Sequence, residues 1–253
     1  MALLEARSVT MRFGGLTAVK DFDLAIEERW LYGLIGPNGA GKTTIFNMIT
    51  GVYRPTAGQI LFDGGRIDGE KPWKITDRGI ARTFQNIRLF ANLSVLDNVK
   101  VGFARRQKAS IFSAIVRGRT HAREEERIER ESLELLRVFK LDHLAGEVAR
   151  NLPYGSQRRL EIARAMATRP RLLCLDEPAA GMNPNEAREL MDLIRWLRDQ
   201  FQMAIFLVEH NMKVVMGVCE KVHVVDYGST ICLGTPAEVQ KDPRTIEAYL
   251  GGA

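Results

Sequence analysis

Short apolar runs separated by polar and turn-forming residues open the chain. Residues 4–10, 18–26 and 31–35 read as strands, the second carrying Val19, Phe22, Leu24 and Ile26 as its apolar positions. A glycine-rich turn follows, and 43–50 then reads as a helix that stops at Gly51 with Pro55 beyond. Residues 59–62 and 80–84 look like further strands, divided by a turn-rich stretch with Gly64, Gly65, Gly69 and Pro72. Between 94 and 144 strand character vanishes. Ile128, Glu131, Leu135, Val138 and Phe139 recur at helical spacing inside a heavily charged run, which predicts a helical insertion. Alternation then resumes: helix 156–168, strand 172–175, helix 184–201, strand 204–208, helix 212–218, and strands 221–225 and 230–233. In helix 184–201 one face gathers Ala187, Leu190, Met191, Ile194, Leu197 and Phe201. This alternation predicts an α/β fold with a largely parallel sheet covered on both faces.

Composition narrows the class without assigning a function. The 253 residues, 45% apolar and 26% charged, with a mean hydropathy of -0.14, fit an ordinary soluble globular protein of one large domain or two small ones. The longest apolar runs, such as 203–208, fall far short of the roughly 20 residues that a membrane helix needs. The first seven residues bring in an acid and a base early and predict no signal peptide, so a cytosolic chain is expected. Cys174, Cys219 and Cys232 are too few and too widely spaced for a zinc site or disulfide framework, and are read as core. The net charge of +5 is a modest surplus.

Chemistry enters with Gly36-Pro37-Asn38-Gly39-Ala40-Gly41-Lys42-Thr43, a match to G-x-x-x-x-G-K-[ST] lying between an apolar strand and a helix. Its glycines let backbone N–H groups converge on phosphate oxygens, and the helix start adds its positive dipole end. Lys42 supplies a cation for the terminal phosphates, and Thr43 a hydroxyl for Mg²⁺. Leu172-Leu173-Cys174-Leu175 then runs into Asp176-Glu177. Asp176 suits the Mg²⁺ shell, and Glu177 suits polarising an attacking water. His210 directly follows the strand 204–208 and Glu209, which places it on the same sheet edge.

With these motifs in order the chain resembles the ATP-binding cassette (ABC) ATPases along essentially its whole length. Residues 36–43 match the family's Walker A motif, Gln85 its Q-loop glutamine, 152–157 its signature position, 172–176 Walker B, Glu177 the catalytic glutamate, 179–183 the D-loop and His210 the switch histidine. The resemblance implies a P-loop NTPase core with an N-terminal antiparallel β-subdomain and an inserted α-helical subdomain. In that organisation 1–253 form one ABC ATPase domain, with 1–93 and 171–253 as the nucleotide-binding core and 94–170 as the helical part. It also implies catalytic roles for Glu177, His210 and Gln85. ATP contacts would come from Phe13, Gly36, Pro37, Asn38, Gly39, Ala40, Gly41, Lys42, Thr43 and Thr44, and from Gly155, Ser156 and Gln157. Mg²⁺ would be held through Thr43, Gln85 and Asp176. Phe13 would stack on adenine; the competing reading is a core phenylalanine. The expected partners are a homologous second ATPase, heterodimeric or homodimeric, integral permease subunits and a separate substrate-binding protein, without nucleic acid. The expected place is the cytoplasmic face of the inner membrane.

Two positions depart from the family pattern. Leu152-Pro153-Tyr154-Gly155-Ser156 stands where Leu-Ser-Gly-Gly-Gln is usual, and Pro153 lacks the hydroxyl and N–H that a γ-phosphate contact needs. Asn183 stands where the D-loop usually has aspartate. Both bear on the site offered to a dimer partner, and a composite dimer with unequal sites is expected. The stretches 81–90, 177–184, 208–212 and 248–251 look like the high-affinity branched-chain amino acid importers, LivG-type by the long insertion between Gln85 and the signature. A cassette serving another cargo, such as lipopolysaccharide export, is the nearest rival. Ribosome- or DNA-acting ABC proteins usually carry paired cassettes or a long coiled coil, and a GTPase would need Asn-Lys-x-Asp; neither pattern occurs. The charge surplus lies within 104–123, where six basic residues and no acid give +6. Either an anionic membrane or subunit surface or a plain solvated helix face accounts for it.

Overall fold

The computed structural model describes residues 2–104 and 119–250, so most of the basic stretch 104–123 lies outside the described residues. The chain separates into two compact units, one from 1–85 and 170–253 and one from 86–169.

Two sheets build the first unit. Strands β1 (Leu4–Phe13), β2 (Leu16–Ile26), β4 (Ala57–Phe62) and the short β5 (Gly65–Arg66) pair in the order β2-β1-β4-β5, antiparallel throughout. The second sheet has the order β10-β9-β3-β8-β7-β6, from β3 (Leu31–Ile35), β6 (Ile80–Arg82), β7 (Leu172–Asp176), β8 (Ala204–Val208), β9 (Lys221–Asp226) and β10 (Ser229–Gly234). All its pairings are parallel except that of β9 with β10. Strands β3, β7 and β8 are buried at every position, as continuous apolar runs covered on both faces should be. Helix α1 (Lys42–Ile49) inserts Ile45, Phe46 and Ile49 into a core that also takes Leu4 and Ile26 from the antiparallel sheet and Phe206 from the parallel one. Truncating a side chain of that kind, such as Phe206→Ala, costs about 3–5 kcal/mol.

Register decides where the loops after the strands emerge. Leu34 of β3 and Asp176 of β7 both pair with Val208 of β8, so the ends of these strands stand level at one edge. Strand β6 stops at Arg82, two residues earlier than 80–84 suggested; one more backbone bond, Thr83 N–H to the Cys174 carbonyl at 3.0 Å, carries the chain to the same edge. Helix α2 (Pro72–Arg78) occupies part of the stretch read as turns: Pro72 supplies a first-turn residue that needs no N–H partner, Gly79 closes it in a left-handed conformation, and of its seven residues Ile75 is the one buried.

In the second unit the regular elements are helical. Helix α3 (Val95–Ala104) starts after Ser94, whose hydroxyl accepts the Asp97 N–H. Helices α4 (Arg119–Val138) and α5 (Tyr154–Met166) pack against α3, and Val95, Val99, Ile128, Leu135, Leu136, Phe139 and Leu160 are buried. Glu131, on the apolar spacing, instead pairs with Arg127 and Arg169. Inside α5 the fully buried Arg158 meets Glu161 at 2.8 Å. Removing either partner would strand a buried charge, which costs about 3–5 kcal/mol.

The first unit continues through α6 (Pro184–Phe201), α7 (Met212–Val218), α8 (Pro236–Lys241) and α9 (Pro243–Leu250), the last two following the final strand read from the sequence.

Candidate functional site

The phosphate-loop segment leaves β3 at the middle of the parallel sheet and turns into α1. Two of its glycines are required by space and dihedral angle. A Cβ on Gly36 would lie 2.1 Å from the Val225 carbonyl, and Gly41 has φ +96 with the Ala18 carbonyl 2.7 Å from where its Cβ would be. Gly41 is also the N-cap of α1, which has no side-chain cap. Lys42 is buried and folds back over the loop, its Nζ donating to the carbonyls of Gly36 at 2.6 Å and Pro37 at 2.8 Å. Burial lowers its pKa, and the nearby carboxylates of Glu177 and Asp176 oppose that shift. Phosphate oxygens entering the loop would exchange for those carbonyls as acceptors of the Lys42 protons.

Asp176 ends β7, 4% exposed, with its N–H directed to the Thr83 hydroxyl at 3.4 Å. The next residue, Glu177, turns off the sheet with φ +45, a left-handed conformation that costs a non-glycine residue about 1–2 kcal/mol. Its N–H donates to the Val208 carbonyl at 2.8 Å. Its carboxylate is met from both sides: Gln85 Nε2 donates to Oε2 at 3.0 Å, and His210 Nδ1 stands 3.4 Å from Oε1. A carboxylate, a carboxamide and an imidazole thus converge beside the phosphate loop. That set can polarise a water and exchange a proton with it.

An open cleft of about 530 Å³ runs along the loop, lined by Asn38 to Thr44 together with Phe13, Gln85 and Glu177. Phe13 is 42% exposed and sits edge-on to Tyr53 at 5.3 Å, so it is a cleft wall and not the core residue of the competing reading. Gly36, Pro37, Asp176 and His210 lie behind or beside this lining. Gly155, Ser156 and Gln157 belong to the second unit, in the first turn of α5 with Pro153 as N-cap. There the Gln157 Nε2 donates to the Leu152 carbonyl at 2.8 Å. Asn183 is the N-cap of α6, accepting from the N–H groups of Asn185 and Glu186 while Glu186 accepts from its own N–H. This capping role explains the asparagine, because Asn and Asp serve equally well there.

Several residues at the site were not singled out by pattern. Leu16, Thr17 and Ala18 of β2 and the 89%-exposed Tyr227 complete the cleft lining. Tyr249 of α9 has a buried hydroxyl with no hydrogen-bond partner among the described residues, and burial pushes the phenol up to about 12. Glu209 is buried, and its carboxylate accepts the Ala179 N–H at 3.1 Å. Glu209 and Tyr249 fall in stretches noted only for their resemblance, and no periodicity or motif assigns a role to any of these residues; the roles become visible through tertiary contact.

Mg²⁺ requires hard oxygen donors. Among the described residues no group of three or more His, Cys, Asp or Glu is arranged to hold an ion alone. Thr43, Gln85 and Asp176 offer a hydroxyl, an amide and one carboxylate at the strand-end edge. This sparse set fits an ion that takes most of its ligands from phosphate and water.

A phosphate loop and a carboxylate pair at the carboxyl edge of a mostly parallel sheet, beside an antiparallel sheet, define a P-loop ATPase of the cassette type. The chain belongs to the ABC transporter family, whose model matches residues 19–180. A second model, described as branched-chain amino acid ATP-binding cassette transporter, matches 229–253. Over 252 residues, 99% of this chain and 98% of the relative, the chain is 45% identical to the high-affinity branched-chain amino acid transport ATP-binding protein LivG of Salmonella typhimurium. It is 34% identical, over 99% of this chain and 98% of the relative, to the lipopolysaccharide export system ATP-binding protein LptB of Escherichia coli. A cassette of an ABC transporter solved in its ADP conformation superposes with a TM-score of 0.86 at 28% identity, covering 99% of both chains. The chain is therefore an ABC transporter ATPase, an energy-coupling subunit that binds nucleotide. Among the described residues no helix is long and apolar enough to cross a membrane.

Proposed function

We propose that this ATPase drives high-affinity uptake of branched-chain amino acids. Glu177 polarises the water that attacks the γ-phosphate, while His210 and Gln85 hold that carboxylate and the water in line. The observation that carries the catalytic assignment is the convergence of Gln85 and His210 on the two oxygens of Glu177 beside the phosphate loop. Gly36 to Thr44 hold the phosphates and Phe13 stacks on adenine. Mg²⁺, bound through Thr43, Gln85 and Asp176 together with the nucleotide, supplies charge neutralisation at the phosphates. Residues 94–170 form the helical part of the cassette, and Gly155, Ser156 and Gln157 contribute to the ATP site of a second, homologous ATPase. With Pro153 at the N-cap, the backbone N–H groups of Gly155 and Ser156 take over from the missing serine.

ATP binding closes this dimer and hydrolysis reopens it. Permease subunits at the cytoplasmic face of the inner membrane convert that cycle into alternating access, and a substrate-binding protein delivers the cargo. Gln85 and residues 86–98 receive the permease. The similarity to LivG over nearly the full length and the match at 229–253 support this cargo over lipopolysaccharide export. The deciding experiment is to purify the intact membrane complex, identify its subunits and measure ATP-dependent leucine uptake in proteoliposomes. Uptake that is lost with Glu177→Gln is expected, and a complex that leaves leucine outside while moving lipopolysaccharide would overturn the cargo assignment.

A further inference from the structure

The position of His210 needs an explanation that the site itself does not supply. Its side chain is 56% exposed, and it lies in the short link between β8 and α7. Glu177, its neighbour, likewise sits in a turn, followed by Pro178 and Ala179, outside regular structure. Two catalytic groups on two irregular segments must nevertheless keep a fixed spacing through each turnover, because a misplacement of about 1 Å can cost ~100-fold in rate.

Glu209 lies between these segments. Its N–H donates to the Leu34 carbonyl at 3.3 Å, which anchors it to the strand that leads into the phosphate loop. Its side chain, 1% exposed, turns inward. There the carboxylate accepts the N–H of Ala179, two residues beyond Glu177, at 3.1 Å. The N–H of Asn211, the residue after His210, also favours its charged form. One buried carboxylate, on the residue before His210, therefore holds an N–H of the Glu177 segment at hydrogen-bond distance. Burial raises its pKa, against the opposing pull of the Ala179 N–H, the His210 ring and the Asn211 N–H, as expected of an acceptor built into the backbone and not of a solvated acid.

We propose that Glu209 is a positioning residue for hydrolysis, a brace that fixes the Glu177 segment against the His210 segment. This rests on the roles given above to Glu177 and His210. A glutamine at 209 keeps a neutral oxygen acceptor but loses the charge that strengthens its hydrogen bonds; an alanine offers no acceptor.

The test measures kcat, KM, nucleotide affinity by fluorescent ATP analogue and melting temperature on the full-length chain and its Glu209→Gln and Glu209→Ala variants, with Glu177→Gln alongside. A fall in kcat of about tenfold in Glu209→Gln and more in Glu209→Ala, at unchanged nucleotide affinity and melting temperature, is expected. A kcat within about twofold of wild type in Glu209→Gln, or a loss matched by nucleotide affinity and melting temperature, overturns the brace. Should Glu177→Gln turn over normally, the catalytic reading itself fails; a dead Glu177→Gln beside a normal Glu209→Gln defeats the brace alone. Hydrogen exchange on the unaltered chain is independent of whether the variants fold. The Ala179 and Asn211 amides are expected to exchange more slowly than other amides of their segments, and exchange at the same rate as those neighbours overturns the proposal.

Discussion

Helices α1 and α6 begin in opposite ways. At α6 the Asn183 side chain takes the N–H groups of Asn185 and Glu186, and Glu186 reaches back to complete the box. At α1 a glycine stands at the N-cap and no side chain caps the turn. Every helix start leaves backbone donors without an intrahelical acceptor. Where a side chain takes them the helix gains about 1 kcal/mol. Where none does, the donors and the dipole end remain for a ligand. The same contrast recurs between α8, boxed by Thr235 and Glu238, and α5, which starts at Pro153 with no side-chain cap. The capped α6 and α8 hold the fold; α2 also starts without a side-chain cap, but α1 and α5 begin at the segments proposed to meet phosphate.

Substitutions can break this contrast or sharpen it. The largest effect is expected from Glu177→Gln, which should lower turnover by about 10²–10⁴ while leaving the α1 donors able to bind ATP. Turnover on the purified chain together with retained nucleotide checks it, and loss of binding would mean that the carboxylate helps hold the loop. Lys42→Ala should weaken nucleotide binding by roughly 100-fold, since it removes the charged donor beside the uncapped turn. Equilibrium titration reads this directly. Gly41→Ala adds a Cβ facing the Ala18 carbonyl at φ +96. It should cost about 2 kcal/mol of stability and weaken nucleotide binding with it, seen by denaturation and titration together. The smallest and most discriminating effect belongs to Asn183→Ala, which should lose about 1 kcal/mol of stability with nucleotide affinity unchanged, while Asn183→Asp restores the stability. If Asn183→Ala weakened nucleotide binding as far as Lys42→Ala does, the division between capped and uncapped starts would collapse.

Legibility of the chain followed burial. Strands β3, β7 and β8 are buried at every position, so their apolar runs were long, bounded and unambiguous. Helix α2 was hidden because of its seven residues only Ile75 is buried and its surroundings read as turns. Helix α8 carried a readable signal in Thr235-Pro236-Ala237-Glu238, a capping box with proline in the first turn, that strand and loop patterning passed over. Phosphate-loop chemistry is local, so spacing alone marked Gly36 to Thr43. Cleft walls such as Ala18 and Tyr227, and Glu209 with its Ala179 donor, depend on segments far apart in sequence. No window of residues contains them.

The three thiols offer a practical consequence. All are buried and unpaired. Burial pushes Cys174 up to about 12 and lifts Cys219 and Cys232 above the ordinary thiol range. Thiolates are what maleimides attack, so the natural sequence is already a quiet background for labelling. A single Tyr227→Cys at the rim of the cleft would accept a fluorophore without prior removal of native cysteines, and would report the arrival and departure of nucleotide in real time.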